Sequence, residues 1–125
     1  MSDPRHLLGR DAEEAVAGWL TRAGWAVLDR RVRTGAGGEV DLIALDPAAT
    51  LVAVEVRARR TDRTGAAATT VDHRRTRRLE ATLVAYASSG ATRHRGLRVD
   101  LVTAEPSAAP GNGWRLRRIP GIGAR

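Results

Sequence analysis

Two stretches of the chain alternate apolar and polar residues every second position. Val40, Leu42 and Ala44 interleave with Glu39, Asp41 and Ile43, and Val52, Val54 and Val56 interleave with Ala53, Glu55 and Arg57. Period two is the signature of β-strands, so Glu39 to Arg57 predicts two strands joined by a short turn, valines on one face and acids on the other. A hairpin symmetric about Ala48 sets Asp41 opposite Glu55, Glu39 opposite Arg57 and Ile43 opposite Ala53. Val40, Leu42 and Ala44 then face Val56, Val54 and Val52.

The remaining elements follow from the same reading. From Leu8 to Ala23 the apolar positions Ala12, Ala15, Val16, Trp19, Leu20 and Ala23 recur at three and four, and Gly24 supplies a stop, which predicts an amphipathic helix. At about 100° per residue Glu13 falls on the border of its apolar stripe while Glu14 points away, so only Glu13 is placed to lean over a sheet. Glu13 could equally be first-turn charge complementing the helix dipole. Trp25 to Arg33 reads as a strand with Ala26, Leu28 and Val32 turned one way. The glycines of Thr34 to Gly38 lack the spacing of a phosphate-binding loop, and no helix opens after them, so they are read as a flexible hairpin turn delivering Glu39.

A basic loop over about 58–69 contains Arg59, Arg60 and Arg63. A second helix is predicted from about Thr70 to Ser88, with Leu79, Leu83 and Tyr86 inward and Arg74, Arg77 and Arg78 sharing an outward sector. Leu97 to Ala104 alternates as a strand, Trp114 to Ile119 is expected to return antiparallel, and a frayed tail is expected over about 120–125. Trp114 is read as a lid on the core. Asp100 is read as a partner for an arginine rather than a helper at a site. No boundary or repeat divides residues 1–125, so a single domain is expected.

Charge narrows the classes of partner. Twenty-one basic residues, all arginine, against 14 acids leave a net charge of +7, an excess that favours a polyanion, nucleic acid first. An arginine-rich codon usage would explain arginine over lysine, but not the surplus of cations over acids. Without cysteine, disulfides, zinc-thiolate sites and cysteine nucleophiles are excluded. Phe is absent and aromatics are few, so backbone and shape contacts are expected in place of base stacking. No run approaches the roughly 20 apolar residues of a membrane span, and no apolar signal core opens the chain, so a soluble, cytoplasmic protein without membrane contact is expected. His6, His73 and His94 have no ligand spacing and are assigned no chemistry.

Chemistry enters through the hairpin. Directly opposed carboxylates destabilise a strand pair unless something neutralises them. Cross-strand Cβ atoms lie about 4.5–5.5 Å apart and carboxylate-to-magnesium distances are about 2.0–2.1 Å, so Asp41 and Glu55 could share one hard cation. Arg57, on the same face as Glu55, would lie beside a phosphate bound there. The alternative is ordinary ion pairing, Glu39 with Arg57 and Asp41 with another arginine.

An acid on one strand followed by Glu55-Val56-Arg57 on the next resembles the PD-D/E-x-K nuclease motif. More closely, the chain resembles the YraN-like uncharacterised protein family, whose members are similar to archaeal Holliday-junction resolvases and are predicted endonucleases. The likeness runs in order through Gly9-Arg10, Glu13, Trp19-Leu20, Gly24-Trp25, Arg30 and Arg33. It continues through Gly38-Glu39-Val40-Asp41-Leu42-Ile43, Leu51-Val52, Val54-Glu55-Val56, Gly65, Val71-Asp72, Arg74, Arg77 and Arg98-Val99-Asp100. The resemblance implies an α/β, restriction-endonuclease-like core, a mixed sheet flanked by helices in the order α-β-β-β-α-β(-β). It implies Asp41 and Glu55 as ligands of Mg²⁺ or Mn²⁺, the Val56 carbonyl as a further ligand and Glu13 as a supporting acid.

The expected function is therefore a metal-dependent endonuclease acting on DNA, branched structures included. Its catalytic set would be Glu13, Glu39, Asp41, Glu55 and Arg57, and Arg59, Arg60, Arg63, Arg74, Arg77 and Arg78 would grip the backbone. Resolvase-like cutting would need two active sites, hence a homodimer. The motif's lysine is Arg57 here, and arginine stays charged and cannot act as a base. The alternative is a nucleic-acid-binding protein of the same fold whose cleavage is weak or lost.

Overall fold

The computed structural model describes residues 4–35, 37–59, 72–90, 92–107 and 113–122, with side chains from Gly9 onward. A helix α1 (Pro4–Arg22) leads into strands β1 (Ala26–Val32), β2 (Val40–Leu45) and β3 (Thr50–Ala58), followed by helix α2 (His73–Ser88) and strands β4 (Gly96–Pro106) and β5 (Trp114–Ile119). The fold is α/β, and its element order is the expected one. The strands form one sheet in the order β1-β2-β3-β4-β5, antiparallel except for the β3–β4 pair. Parallel neighbours need a crossover, and α2 is that crossover.

The sheet is covered on both faces. Val16, Ala17 and Leu20 of α1 pack with Trp25, Leu42, Ala44, Val52, Val54 and Val102. On the opposite face Leu79 and Leu83 of α2 pack with Val40, Ile43, Leu51, Ala53 and Val99. Each fully buried Leu, Ile or Val contributes roughly 1.5–3 kcal/mol. The division of valines from acids between two faces is thus corrected: the odd positions Ile43 and Ala53 are as buried as the even ones. Only toward the end of the hairpin do polar groups replace the apolar ones.

The register is the one symmetry predicts, Leu42 opposite Val54, Ile43 opposite Ala53 and Ala44 opposite Val52, but it runs only from Leu45–Leu51 to Leu42–Val54. Beyond that point β2 stays paired with β1, through Val40 and Val32, while β3 stays paired with β4 as far as Ala58. β2 and β3 part there, and the expected facings of Asp41 by Glu55, Val40 by Val56 and Glu39 by Arg57 do not form as ladder pairs.

Two further expectations change. β1 carries an irregularity between Val27 and Asp29, so an extra residue, Leu28, is accommodated there. Across it Val27 pairs with Ala44 on the α1 side while Asp29, two residues on, pairs with Ile43 of the α2 side; Val32 packs on the α2 side, and Ala26 and Leu28 are exposed. The turn before β2 is docked rather than loose. A Cβ on Gly37 would stand 2.5 Å from the Arg78 carbonyl oxygen, so only glycine fits against α2 there. Thr82 Oγ1 donates to the Gly38 carbonyl at 2.9 Å.

α2 opens at His73. Asp72 has extended backbone angles (φ −91°, ψ 108°), and its carboxylate caps the Arg74 and Arg75 amides, so the helix begins later than Thr70, itself outside the described residues. α1 begins earlier than expected, which takes Glu13 out of the first turn and removes the dipole explanation for it. Among the described residues no helix is long and apolar enough to cross a membrane.

Candidate functional site

Where β2 and β3 part, the Val56 amide loses its cross-strand carbonyl, and a buried N–H must find another acceptor. It donates to Asp41 Oδ2 at 2.7 Å. A side chain thereby stands in for backbone pairing and is fixed at the mouth of the split. Two more acids converge on it, one from α1 and one from the neighbouring strand. Glu13 comes from α1, its side chain 16% exposed against 69% for Glu14, as the helical angle requires. Glu55 comes from β3, its side chain 7% exposed.

Burial dominates the electrostatics of Asp41. Desolvation raises its carboxyl, the Val56 hydrogen bond opposes this, and the charges of Glu13 and Glu55 raise it further while Arg75 lowers it, to a pKa of about 7. Such a group resists ionisation unless a cation arrives.

Arginines surround the acids. Glu55 Oε1 accepts from Arg75 Nε, and Arg57 Nη2 stands 3.7 Å from Glu55 Oε2. Arg31 Nε donates to Glu13 Oε1 at 3.1 Å, and Arg31 holds a left-handed backbone (φ 51°) between the β1 residues that pair with Leu42 and Val40. A non-glycine residue in that conformation costs about 1–2 kcal/mol, strain found most often beside functional sites. Arg30 pairs with Glu14 farther out.

Of the residues expected at a site, Glu13, Asp41, Glu55 and Arg57 are brought together. Glu39 is not: it precedes β2 and pairs with Arg33 at 3.1 Å, because the parting of the strands takes it out of reach of a cross-strand partner. Arg74, Arg77 and Arg78 are exposed on α2 as expected. Arg59 extends the β3–β4 ladder, its amide donating to the Ala104 carbonyl at 2.8 Å, while Arg60 and Arg63 lie outside the described residues.

Arg75 and Arg31 were missed. A signal for Arg75 was present in the helix itself. Four residues before Leu79, it lies about 40° from Leu79 and between it and Thr82, inside the buried stripe rather than opposite to it. For Arg31 the signal was weaker: alternation sets it on the face opposite to Val32, but the irregularity between Val27 and Asp29 breaks the count.

Among the described residues no group of three or more His, Cys, Asp or Glu forms a ready-made metal cage. Mg²⁺ does not demand one, being held by one or two carboxylates plus water and phosphate. Asp41, half-buried, hydrogen-bonded through one oxygen and reluctant to ionise alone, has the donor chemistry a hard cation satisfies, and Glu55 is the second carboxylate available to it.

Asp100, on β4, is a contrast. Asp100, fully buried, accepts from Arg98 Nε (2.8 Å) and Nη2 (3.1 Å), Arg118 Nη1 (3.0 Å) and the Gly121 amide (3.0 Å). Arg98 also bonds Asp46 at 3.0 Å, and Trp25 lies under both guanidinium groups, at 5.9 and 5.2 Å. Asp100 is a partner for arginines, as expected. Trp114, expected as a lid, is half-buried and ties β5 to α1 through an indole N–H to Asp11 at 2.9 Å.

A family model described as "Uncharacterised protein family UPF0102" matches residues 12–104, which contain both acid groups. A UPF0102 protein of Acidiphilium cryptum is 57% identical over 51 residues, 41% of this chain and 38% of that protein's length. One from Anaeromyxobacter dehalogenans is 38% identical over 100 residues, 80% of this chain and 73% of the relative. A third, from Alcanivorax borkumensis, is 40% identical over 101 residues, 80% of this chain and 79% of the relative. Matched from α1 to β4 and similar to these proteins over most of its length, the chain belongs to the YraN-like family UPF0102.

Proposed function

We propose that this protein is a divalent-metal-dependent endonuclease that binds DNA and hydrolyses phosphodiester bonds. The observation that carries the reading is the half-buried Asp41 carboxylate, held by the Val56 amide with Glu13 and Glu55 for neighbours where two strands part. Asp41 and Glu55, with the Val56 carbonyl, would hold Mg²⁺ or Mn²⁺. When bound, the ion lowers the pKa of a water and stabilises charge developing on the phosphoryl oxygens.

The chain's own residues supply the rest. Arg57, charged at every working pH, holds a phosphate oxygen rather than taking a proton. Glu13, fixed by Arg31, orients water at the edge of the split. Arg74, Arg77 and Arg78, with Arg59, Arg60 and Arg63, contact the DNA backbone, a sequence-independent grip that weakens steeply with salt. Glu39, drawn to Arg33, is left out of this machinery. Branched DNA is the proposed preferred class, and paired cuts there would require a homodimer.

A second reading rests on Arg57 and on the engagement of Glu55 with Arg75: a DNA-binding protein of the same architecture with little cleavage. A cutting assay on linear, flapped and four-way DNA with Mg²⁺ or Mn²⁺ separates the two. Cleavage by the wild type that disappears in Asp41→Asn is the expected result. Cutting by Arg57→Lys alone would favour the binding protein, and cutting that survives Asp41→Asn would sink the site.

A further inference from the structure

Arg75 is the cation best placed to act on the acid group, and it sits where a helix of this composition has every reason to point a charge outward. It occupies the buried stripe of α2 beside Leu79 and Thr82, yet its side chain is 46% exposed, so the guanidinium reaches Glu55 along the rim of the sheet. Glu55 is nearly buried, with Arg75 on one carboxylate oxygen and Arg57 near the other. A metal ion binding Glu55 and the Arg75 guanidinium compete for the same oxygens.

We propose that Arg75 is an exchange group: it neutralises Glu55 while the site holds no metal, and passes to a phosphodiester of the nucleic acid when a divalent cation takes Glu55. This rests on the nuclease reading above. Two features favour the transfer. Guanidinium binds carboxylate and phosphate with the same planar geometry, so the exchange replaces one anion by another without loss of fit. Arg74 and Arg78 stand on the same helix with exposed side chains, so a backbone held by them passes the end of α2 that carries Arg75. Asp72, capping the Arg75 amide, fixes the helix start, so only the side chain needs to move.

The test is the salt dependence of DNA binding, which counts phosphate contacts, measured in EDTA and in Ca²⁺ for wild type, Arg75→Gln, Glu55→Gln and the double variant. Removing one phosphate contact lowers the slope of log K against log salt by about one. Arg75→Gln is expected to lower the slope by about one in Ca²⁺ and to leave it unchanged in EDTA. Glu55→Gln, which frees Arg75 without metal, is expected to raise it by about one in EDTA, and the double variant to show no gain.

A fall of equal size for Arg75→Gln in both solutions would mean that Arg75 contacts phosphate without exchange. No change in either would make it structural. Each overturns the proposal, as would a Glu55→Gln gain that persists in the double variant. Arg75→Lys guards against a folding defect, since it keeps the charge and should restore most of the slope in Ca²⁺. Failure of the underlying nuclease reading looks different: the wild type would bind no DNA even at low salt, or Ca²⁺ would alter no slope while the EDTA arm of Glu55→Gln still reported release of Arg75.

Discussion

Asp41, half-buried, and Asp100, fully buried, stand on the two strands that flank β3, yet their surroundings are opposite. Asp100 receives four donors, three of them from arginines that stack on Trp25. Among the described residues Asp41 receives one, from a backbone amide, and has two acids for neighbours. The same chain, with arginine in surplus, saturates one buried acid and leaves another short of positive charge. A fold that neutralises one carboxylate this thoroughly leaves the other open, and on the proposed function that opening is where a divalent cation would bind.

The difference can be broken at either end. The largest effect is expected at Asp100. Asp100→Ala leaves Arg98 and Arg118 half-buried with their shared anion gone, and breaking a buried charge network of this kind costs about 3–5 kcal/mol. Urea denaturation should show the full loss, and a change under about 1 kcal/mol would mean that the network is ornamental.

Asp41 should behave in the reverse sense. Its folded pKa of about 7 lies above its ordinary value of 3.8, so its contribution to stability is complete below about pH 4 and is lost as pH rises through 7. In EDTA, Asp41→Asn is therefore expected to be more stable than the wild type at pH 8, by roughly 2–4 kcal/mol, and close to it at pH 4. Paired melts at the two pH values check this. An Asn variant less stable at pH 8 would place Asp41 with Asp100, as a structural acid.

The smallest effect concerns the helix that brings the arginines. Asp72→Ala removes the cap from the Arg74 and Arg75 amides and is expected to cost about 1 kcal/mol, read in the same denaturation experiment. If Arg75 depends on that cap for its place over Glu55, DNA binding in Ca²⁺ should weaken with it, whereas binding in EDTA should hold.

Much of this was legible in the chain. Strict alternation fixed the hairpin and its register about Ala48, and the helical angle alone separated Glu13 from Glu14. Sequence reading failed where a residue's direction depends on a departure from regularity. The extra residue at Leu28 turns Val27 and Asp29 to opposite faces, and the parting of β2 from β3 cannot be seen in residues that alternate perfectly through it. It also sends Glu39 to Arg33 and gives Asp41 the Val56 amide. Arg75 was lost for another reason: five arginines between Arg63 and Arg78 look interchangeable until each is assigned an angle. The Asp100 network joins residues of the β2–β3 turn, β4, β5 and the segment after it, and no local pattern connects them.

The parallel β3–β4 pair bears on how the protein comes into being. The β2–β3 hairpin joins residues 6 to 12 positions apart, Leu45 with Leu51 and Leu42 with Val54, whereas Thr50 and Gly96 are separated by 46. Short loops close first, and long-range pairing waits on the entropy of a larger loop. On a growing chain the hairpin is therefore the pairing that can close first, and Arg75 reaches Glu55 only with the crossover. Until then Glu55 lacks the Arg75 guanidinium, which on the exchange proposed above is the form of the site open to a divalent cation.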